Sequence, residues 1–195
     1  MCPGFRGFDM MTDLLLHLES EAIVKIRDVF DHLDGKVALF ITDGMASDVL
    51  RSLVKKAIFP FSPEYSLVYI NDNSTAPSTV ASAADFLDRL RAEENVEIIV
   101  KSCQEMVELD PHFNRIDKDQ LSNFALKTVV ETHKFQVLVT GLQWQQKHPW
   151  VDHDLIFRQG HIQRVEPLGN WTQRDLENYA YEKISRYTRA KVRVS

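Results

Sequence analysis

Cysteine, glycine and proline are all scarce in this chain, and no apolar run approaches the roughly 18 residues needed to cross a bilayer. The two cysteines, Cys2 and Cys103, are not needed as a disulfide framework, because 195 residues can bury a sizeable core without one. So little cysteine fits a reducing cytoplasm. The opening Met-Cys-Pro-Gly-Phe-Arg-Gly-Phe lacks the apolar core of a signal peptide, so neither export nor membrane insertion is expected. A basic surplus is missing too. With 23 Lys and Arg against 28 Asp and Glu, the formal charge is -5, which speaks against nonspecific nucleic-acid binding. The exception, Arg186, Arg189, Lys191 and Arg193, reads as a solvated helix end, where cations suit the dipole. No internal repeat, low-complexity segment or linker divides the chain, and a single domain over residues 1–195 is expected.

What is present is organised around residues 37–50, Val-Ala-Leu-Phe-Ile-Thr-Asp-Gly-Met-Ala-Ser-Asp-Val-Leu. A short apolar run stops at a polar, glycine-containing turn, and a helical pattern then begins with Val49, Leu50, Leu53 and Val54 on one face. Such a junction points backbone N–H groups and the positive end of a helix dipole at one place, a site for an anion such as phosphate. Before it, Asp9 to Leu33 is helical, with Ser20 as an N-cap that would split it in two.

Strand, polar loop and helix recur. Ser66 to Ile70 leads through Asn71-Asp72-Asn73-Ser74-Thr75 to a helix opened by Pro77, with Val80, Ala83, Ala84, Leu87 and Leu90 on its face. Val96 to Val100 is β-branched, as a buried strand would be. A short helix and loop follow, and then a helix with Leu121, Phe124, Ala125 and Thr128 on its face leads to a strand from Gln136 to Thr140. This alternation predicts an α/β fold, a mostly parallel sheet with helices on both faces, and ligands in such sheets lie beyond the carboxyl ends of the strands. Leu155 to Val165 reads as a β-ribbon turning at Gln159-Gly160. Thr172 with Asp175 resembles a capping box, ahead of a helix with Leu176, Tyr179, Ala180, Ile184 and Tyr187 on its buried face.

Three stretches taken together resemble the phosphoadenosine phosphosulfate (PAPS) reductase family of the adenine-nucleotide alpha-hydrolase-like superfamily. Thr42-Asp43-Gly44-Met45-Ala46-Ser47-Asp48-Val49 resembles the reductases' S-F-G-x-x-x-x-V, and Asn71 to Thr79 resembles D-T-G-x-x-F-P-E-T with Pro77 and Thr79 retained. Thr140-Gly141-Leu142-Gln143-Trp144-Gln145-Gln146 resembles G-L-R-R-E-Q, and Gly160 through Pro167, Leu168 and Trp171 resembles a later G…P-[IL]-x-x-W, with Tyr179 matching a tyrosine in the helix that follows. The resemblance implies a three-layer, twisted, adenine-nucleotide alpha-hydrolase-like sheet. It also implies that Thr42, Asp43, Gly44, Met45, Ala46 and Ser47 cradle the phosphosulfate end of a nucleotide. Asn71, Asp72 and Asn73 would flank the adenosine, and Gly141, Leu142, Gln143 and Trp144 would close over the anion.

Departures from the family bear on its chemistry. The paired arginines fall at Gln143 and Trp144 and a third at Trp150, and neither side chain copies a guanidinium fork. Asp43 puts a carboxylate in the anion loop. The family's nucleophilic cysteine, in an E-C-G-[LI]-H segment, has no counterpart in these 195 residues, so thiol-dependent reduction is not expected. Cys103 reads as a core filler, and no cysteine set suits an iron-sulfur cluster. His148, Asp152 and His153 lack a good zinc spacing, so no metal is expected. His161 reads as an exposed turn residue, and Trp150 as lid or core packing.

Three functions stay open: a PAPS-reductase-like protein that binds an adenine nucleotide or sulfonucleotide, a non-catalytic binding or scaffold protein with a vestigial cleft, and an adenylyl-transferring enzyme of the same superfamily. The implied partners are a small-molecule nucleotide and, for the missing nucleophile or arginines, another copy or a second protein.

Overall fold

The computed structural model describes residues 6–32, 35–61, 63–71, 77–109, 115, 117–143 and 162–184. Five parallel strands form one sheet in the order β3-β2-β1-β4-β5. They are β1 (Val37–Ile41), β2 (Tyr65–Asn71), β3 (Glu97–Ser102), β4 (Val137–Thr140) and β5 (Gln163–Val165). The helices are α1 (Arg6–His32), α2 (Met45–Ile58), α3 (Pro77–Glu93), α4 (Cys103–Leu109), α5 (Lys118–His133) and α6 (Gln173–Lys183).

Alternation along the strands sorts the side chains into two cores. Val37, Leu39 and Ile41 of β1, with Val137 and Val139 of β4, pack with α1, α2, α3 and α6. Ala38 and Leu138 face the other way and pack with Cys103 and Met106 of α4 and Ala125, Leu126, Val129 and Val130 of α5. Helices therefore cover both faces, as the strand–helix alternation predicts. The chain winds outward from β1 to β3, then crosses back to β4 on the opposite flank of β1. The strand order thus reverses between β1 and β4, and the loops leaving those two strands diverge there.

Val49, Leu50, Leu53 and Val54 hold α2 on the first core and are at most 1% exposed, so its predicted apolar face is correct. Near its C-terminal end, Arg27 of α1 donates through Nε to the Ala57 carbonyl at 2.9 Å. The split expected at Ser20 does not occur. Leu15, Leu18, Ala22, Ile26 and Val29 are buried at three- and four-residue steps through that point, and continuous burial along one stripe overrides a local cap signal.

Three faces differ from expectation. In α5, Ala125, Leu126, Val129 and Val130 are buried, whereas Phe124 and Thr128 are exposed and the Thr128 hydroxyl donates to the Phe124 carbonyl. In α3, Phe86 is buried beside Ala83 and Leu90, and Ala84 faces out. Among the described residues β3 is an edge strand rather than a buried one, and Val100 is 38% exposed. Of the expected ribbon, residues 155–161 lie outside the described residues, and Gln163–Val165 joins β4 as a parallel strand. Tyr187 and the basic tail residues also lie outside the described residues. Among the described residues, no helix is long and apolar enough to cross a membrane.

Candidate functional site

The organising loop closes on itself. Leaving β1, the Thr42 amide donates to Ser47 Oγ at 2.8 Å, the two hydroxyls lie 3.1 Å apart, and the Ser47 amide donates to the Gly44 carbonyl at 3.1 Å. Ser47 is buried, so these bonds fix the turn between β1 and α2. Gly44 is the N-cap residue, with φ -86° and ψ 161°, and no side chain caps the helix. The amides of Met45 and Ala46 donate to no described residue. In any helix the first amides lack intrahelical acceptors, so this first turn presents donors and the positive end of the dipole. Asp43 beside them is exposed.

The loop after β4 comes up against the same turn. A Cβ placed on Gly141 would sit 3.4 Å from the Ala46 carbonyl oxygen, a contact that glycine leaves open. Thr42 to Ser47 and Gly141 are thus brought together at the β1–β4 divergence. Leu142 is half-buried beside them in sequence. Gln143 is 1% exposed, and its Nε2 donates to the Trp171 carbonyl at 2.9 Å. That bond ties the β4 loop to buried Pro167, Leu168 and Trp171, and Trp171 packs edge-on against Tyr179. Gln143 Oε1 and the hydroxyl of Thr140 are buried without a hydrogen-bond partner among the described residues. Asn71 ends β2 at the same end of the sheet, while Asp72, Asn73 and Trp144 lie outside the described residues.

Two ionic networks, neither of them anticipated from the sequence, hold α2 from behind. Arg51 donates to Asp48 at 3.2 Å, to Glu93 at 2.8 Å and through Nε to Glu94 at 2.9 Å, and Lys55 pairs with Glu94 at 2.8 Å. Burial alone would lower the Arg51 pKa, but its bonds to Glu93 and Glu94 hold it above the ordinary value. Farther along, Lys56 donates to Tyr179 at 2.8 Å and bonds Glu19, linking α2 to α6 and α1. Burial raises the Tyr179 pKa. The Asp48-x-x-Arg51 spacing was a visible signal for the first network, since such residues neighbour each other on a helix. Glu93 and Glu94 carried no such signal.

Cys103 is 2% exposed in the second core, 3.7 Å from the Ser122 hydroxyl, as a core filler should be. His148, Trp150, Asp152, His153, His161 and Cys2 lie outside the described residues. Among the described residues, no group of three or more His, Cys, Asp or Glu is placed to hold a metal ion.

A parallel α/β sheet whose strand order reverses between β1 and β4 has its crevice at the carboxyl ends of those strands, where ligands of such sheets bind. No protein-family model matches the sequence. The chain is, however, similar to sulfate adenylyltransferase subunit 2 of Halorhodospira halophila, 27% identical over 196 aligned positions that cover 86% of this chain and 63% of the relative. It is also 25% identical to the subunit 2 of a Rhizobium strain over 198 positions, covering 87% and 64%. The chain thus spans a little under two thirds of these curated relatives.

Among solved structures, the NH3-dependent NAD synthetase of Campylobacter jejuni superposes with a TM-score of 0.57 at 13% identity, covering 90% of this chain and 76% of the synthetase. A U34-tRNA thiolase from Methanococcus maripaludis superposes with a TM-score of 0.57 at 15% identity, covering 84% and 63%. These neighbours have the adenine-nucleotide alpha-hydrolase-like fold, which is therefore the fold of this chain. The fold that the family resemblance implies is thus present, and the sequence relatives are named for adenylyl transfer rather than for reduction.

Proposed function

We propose that the chain binds the phosphate end of an adenine nucleotide in the crevice between β1 and β4, and that it serves adenylyl transfer to an oxyanion such as sulfate. The carrying observation is the uncapped first turn of α2, set at the strand-order reversal with the Gly141 backbone against it. Thr42 to Ser47 would hold the phosphates through backbone donors. Asn71 to Asn73 would flank the adenosine, and Gly141, Leu142, Gln143 and Trp144 would cover the anion. In the transfer, an oxygen of the acceptor anion attacks the α-phosphorus, the bond to the bridging oxygen breaks, and pyrophosphate leaves with the electron pair. Donors fixed at a helix start favour the charge that develops there.

The names of the sequence relatives support adenylyl transfer over reduction. So does the burial of Cys103, which removes it as a thiol nucleophile. One observation favours the second reading, a binding or scaffold protein with a vestigial cleft. No lysine or arginine stands among residues 42–47 and 141–143, and the Asp43 carboxylate is exposed there.

Calorimetry and thermal shift separate the two readings, using ATP, adenosine phosphosulfate, PAPS and sulfate, each with and without Mg2+. A ligand at a hundred times its dissociation constant adds about 2.7 kcal/mol, several degrees of melting temperature for a domain of this size. A shift with ATP that Gly44→Val abolishes without unfolding the protein is the expected result. A selective shift with PAPS would return the reading to a reductase-like ligand, and no shift with any adenine nucleotide would leave the vestigial cleft.

A further inference from the structure

Strand β3 ends the sheet among the described residues. No described strand lies beyond it, and β3 pairs residue for residue with β2 from Glu97 to Ser102 without a bulge. Leu67 and Val68 of β2 are fully buried, yet Ile98 and Ile99, their register partners one strand out, are only half-buried. Ile98 and Ile99 pack against the two cores from within, and among the described residues no strand covers their outer side. Proteins usually blunt such an edge with proline, bulges or charged side chains, lysine above all. Glu97-Ile98-Ile99-Val100-Lys101-Ser102 has no proline and no glycine, and its two charges stand on either side of an apolar centre.

That charge pattern is complementary to itself. If two β3 strands run antiparallel about a two-fold axis at Ile99, Glu97 of each stands opposite Lys101 of the other, and Ile98 stands opposite Val100. Directly opposed residues share a face, so each charged pair is cross-strand and each apolar pair is β-branched. Shifting the axis to lie between Ile99 and Val100 would set Ile98 against Lys101, so the first register is specified. Lys101 at present pairs with Glu105 on the surface, a contact weak enough to exchange. Glu97 accepts from the Ser66 hydroxyl at 2.7 Å and keeps a second oxygen. The contact is isologous and closes after two copies. We infer that a second copy of this chain docks on β3 by antiparallel strand pairing, extending the sheet across the two-fold axis. This inference is independent of the nucleotide reading, because β3 lies two strands from β1.

Sedimentation velocity of the full chain over a dilution series tests it. The expected result is a monomer–dimer equilibrium, weakened about tenfold or more in Kd by Lys101→Glu or by Glu97→Lys, since each places like charges opposite one another twice. Combining Glu97→Lys with Lys101→Glu in one chain restores the dimer, and an equimolar mixture of the two single variants forms a heterodimer that neither forms alone. Melting curves check that each variant is folded. Should a charge variant fail that check, Val100→Asp at an exposed position sets a carboxylate against Ile98 and must also weaken the dimer. A chain that stays monomeric throughout, a dimer indifferent to the single reversals, or a mixture that does not associate overturns the inference.

Discussion

Helices α2 and α6 begin with nearly the same backbone and opposite chemistry. Gly44 opens α2 at φ -86° and ψ 161°, and Thr172 opens α6 at φ -84° and ψ 164°. At α6 the Thr172 hydroxyl accepts from the Asp175 amide, and the Asp175 carboxylate accepts from the Thr172 amide at 2.8 Å, so the start is satisfied by its own residues. At α2 no side chain takes that role. The difference is not one of conformation, since a capping residue would fit the geometry of Gly44. It follows position. α6 begins on the packed seam of Leu168, Trp171 and Leu176, whereas α2 begins where β1 and β4 part and a ligand can bring the missing acceptor.

The contrast requires that α2 be held by its body rather than by its first turn. Arg51→Ala tests this most severely, because it takes the guanidinium from the Glu94 and Asp48 carboxylates, whose side chains are 3% and 6% exposed, and leaves Lys55 as the ion pair of Glu94. Breaking a buried ion pair from one side costs about 3–5 kcal/mol, read as a fall in the urea midpoint at unchanged slope. A loss below about 1 kcal/mol would show that α2 is anchored elsewhere. Next in size is Thr172→Ala, which removes both hydroxyl bonds of the capping box and should cost about 1–2 kcal/mol by the same measurement. Ser47→Ala comes third, at about 1 kcal/mol, because the Thr42 amide loses its acceptor. If Ser47→Ala cost more than Thr172→Ala, the α2 turn would be as fully built for stability as that of α6.

Much of this was legible from residue patterns, and the misses have physical causes. Strand, loop and helix order is written in the alternation of short β-branched runs with longer periodic ones, and Thr172-x-x-Asp175 announced its own cap. The helix faces of α3 and α5 were misplaced because Ala84, Phe124 and Thr128 fit a helical period as well as the residues that are buried. Only the neighbouring layer decides which of two overlapping stripes turns inward. β3 looked buried because Val96 to Val100 is as apolar as an inner strand, and sequence does not say which strand ends the sheet. At the candidate site, Gly44 and Ser47 were visible as a strand–helix junction. The role of Gln143 was not, since a glutamine standing where the reductase motif it resembles has arginine gives no sign that its amide will bind the Trp171 carbonyl.

The smallest change in stability gives the sharpest separation of the two helix starts. Gly44→Asp installs at α2 the acceptor that α6 already has. The backbone there suits a capping residue, and a Cβ would meet only Thr42 Oγ1, at 3.4 Å. A carboxylate at this position also complements the dipole, so the variant should gain a few tenths of a kcal/mol, seen as a slightly raised urea midpoint. The same carboxylate takes the amides that the proposed phosphate needs and adds its charge to that of Asp43. Nucleotide affinity measured by calorimetry should therefore fall by at least about tenfold, on the order of 1.4 kcal/mol. Gly44→Asn separates the two causes, because it caps without charge. If occupation of the amides dominates, Gly44→Asn weakens binding nearly as much as Gly44→Asp, and if repulsion dominates it binds almost as the unaltered chain does. A Gly44→Asp variant that is stabilised and still binds nucleotide normally would move the phosphate site away from α2 altogether. Stability and affinity moving in opposite directions is what an N-terminus left open for a ligand requires, because the cap and the phosphate compete for the same two donors.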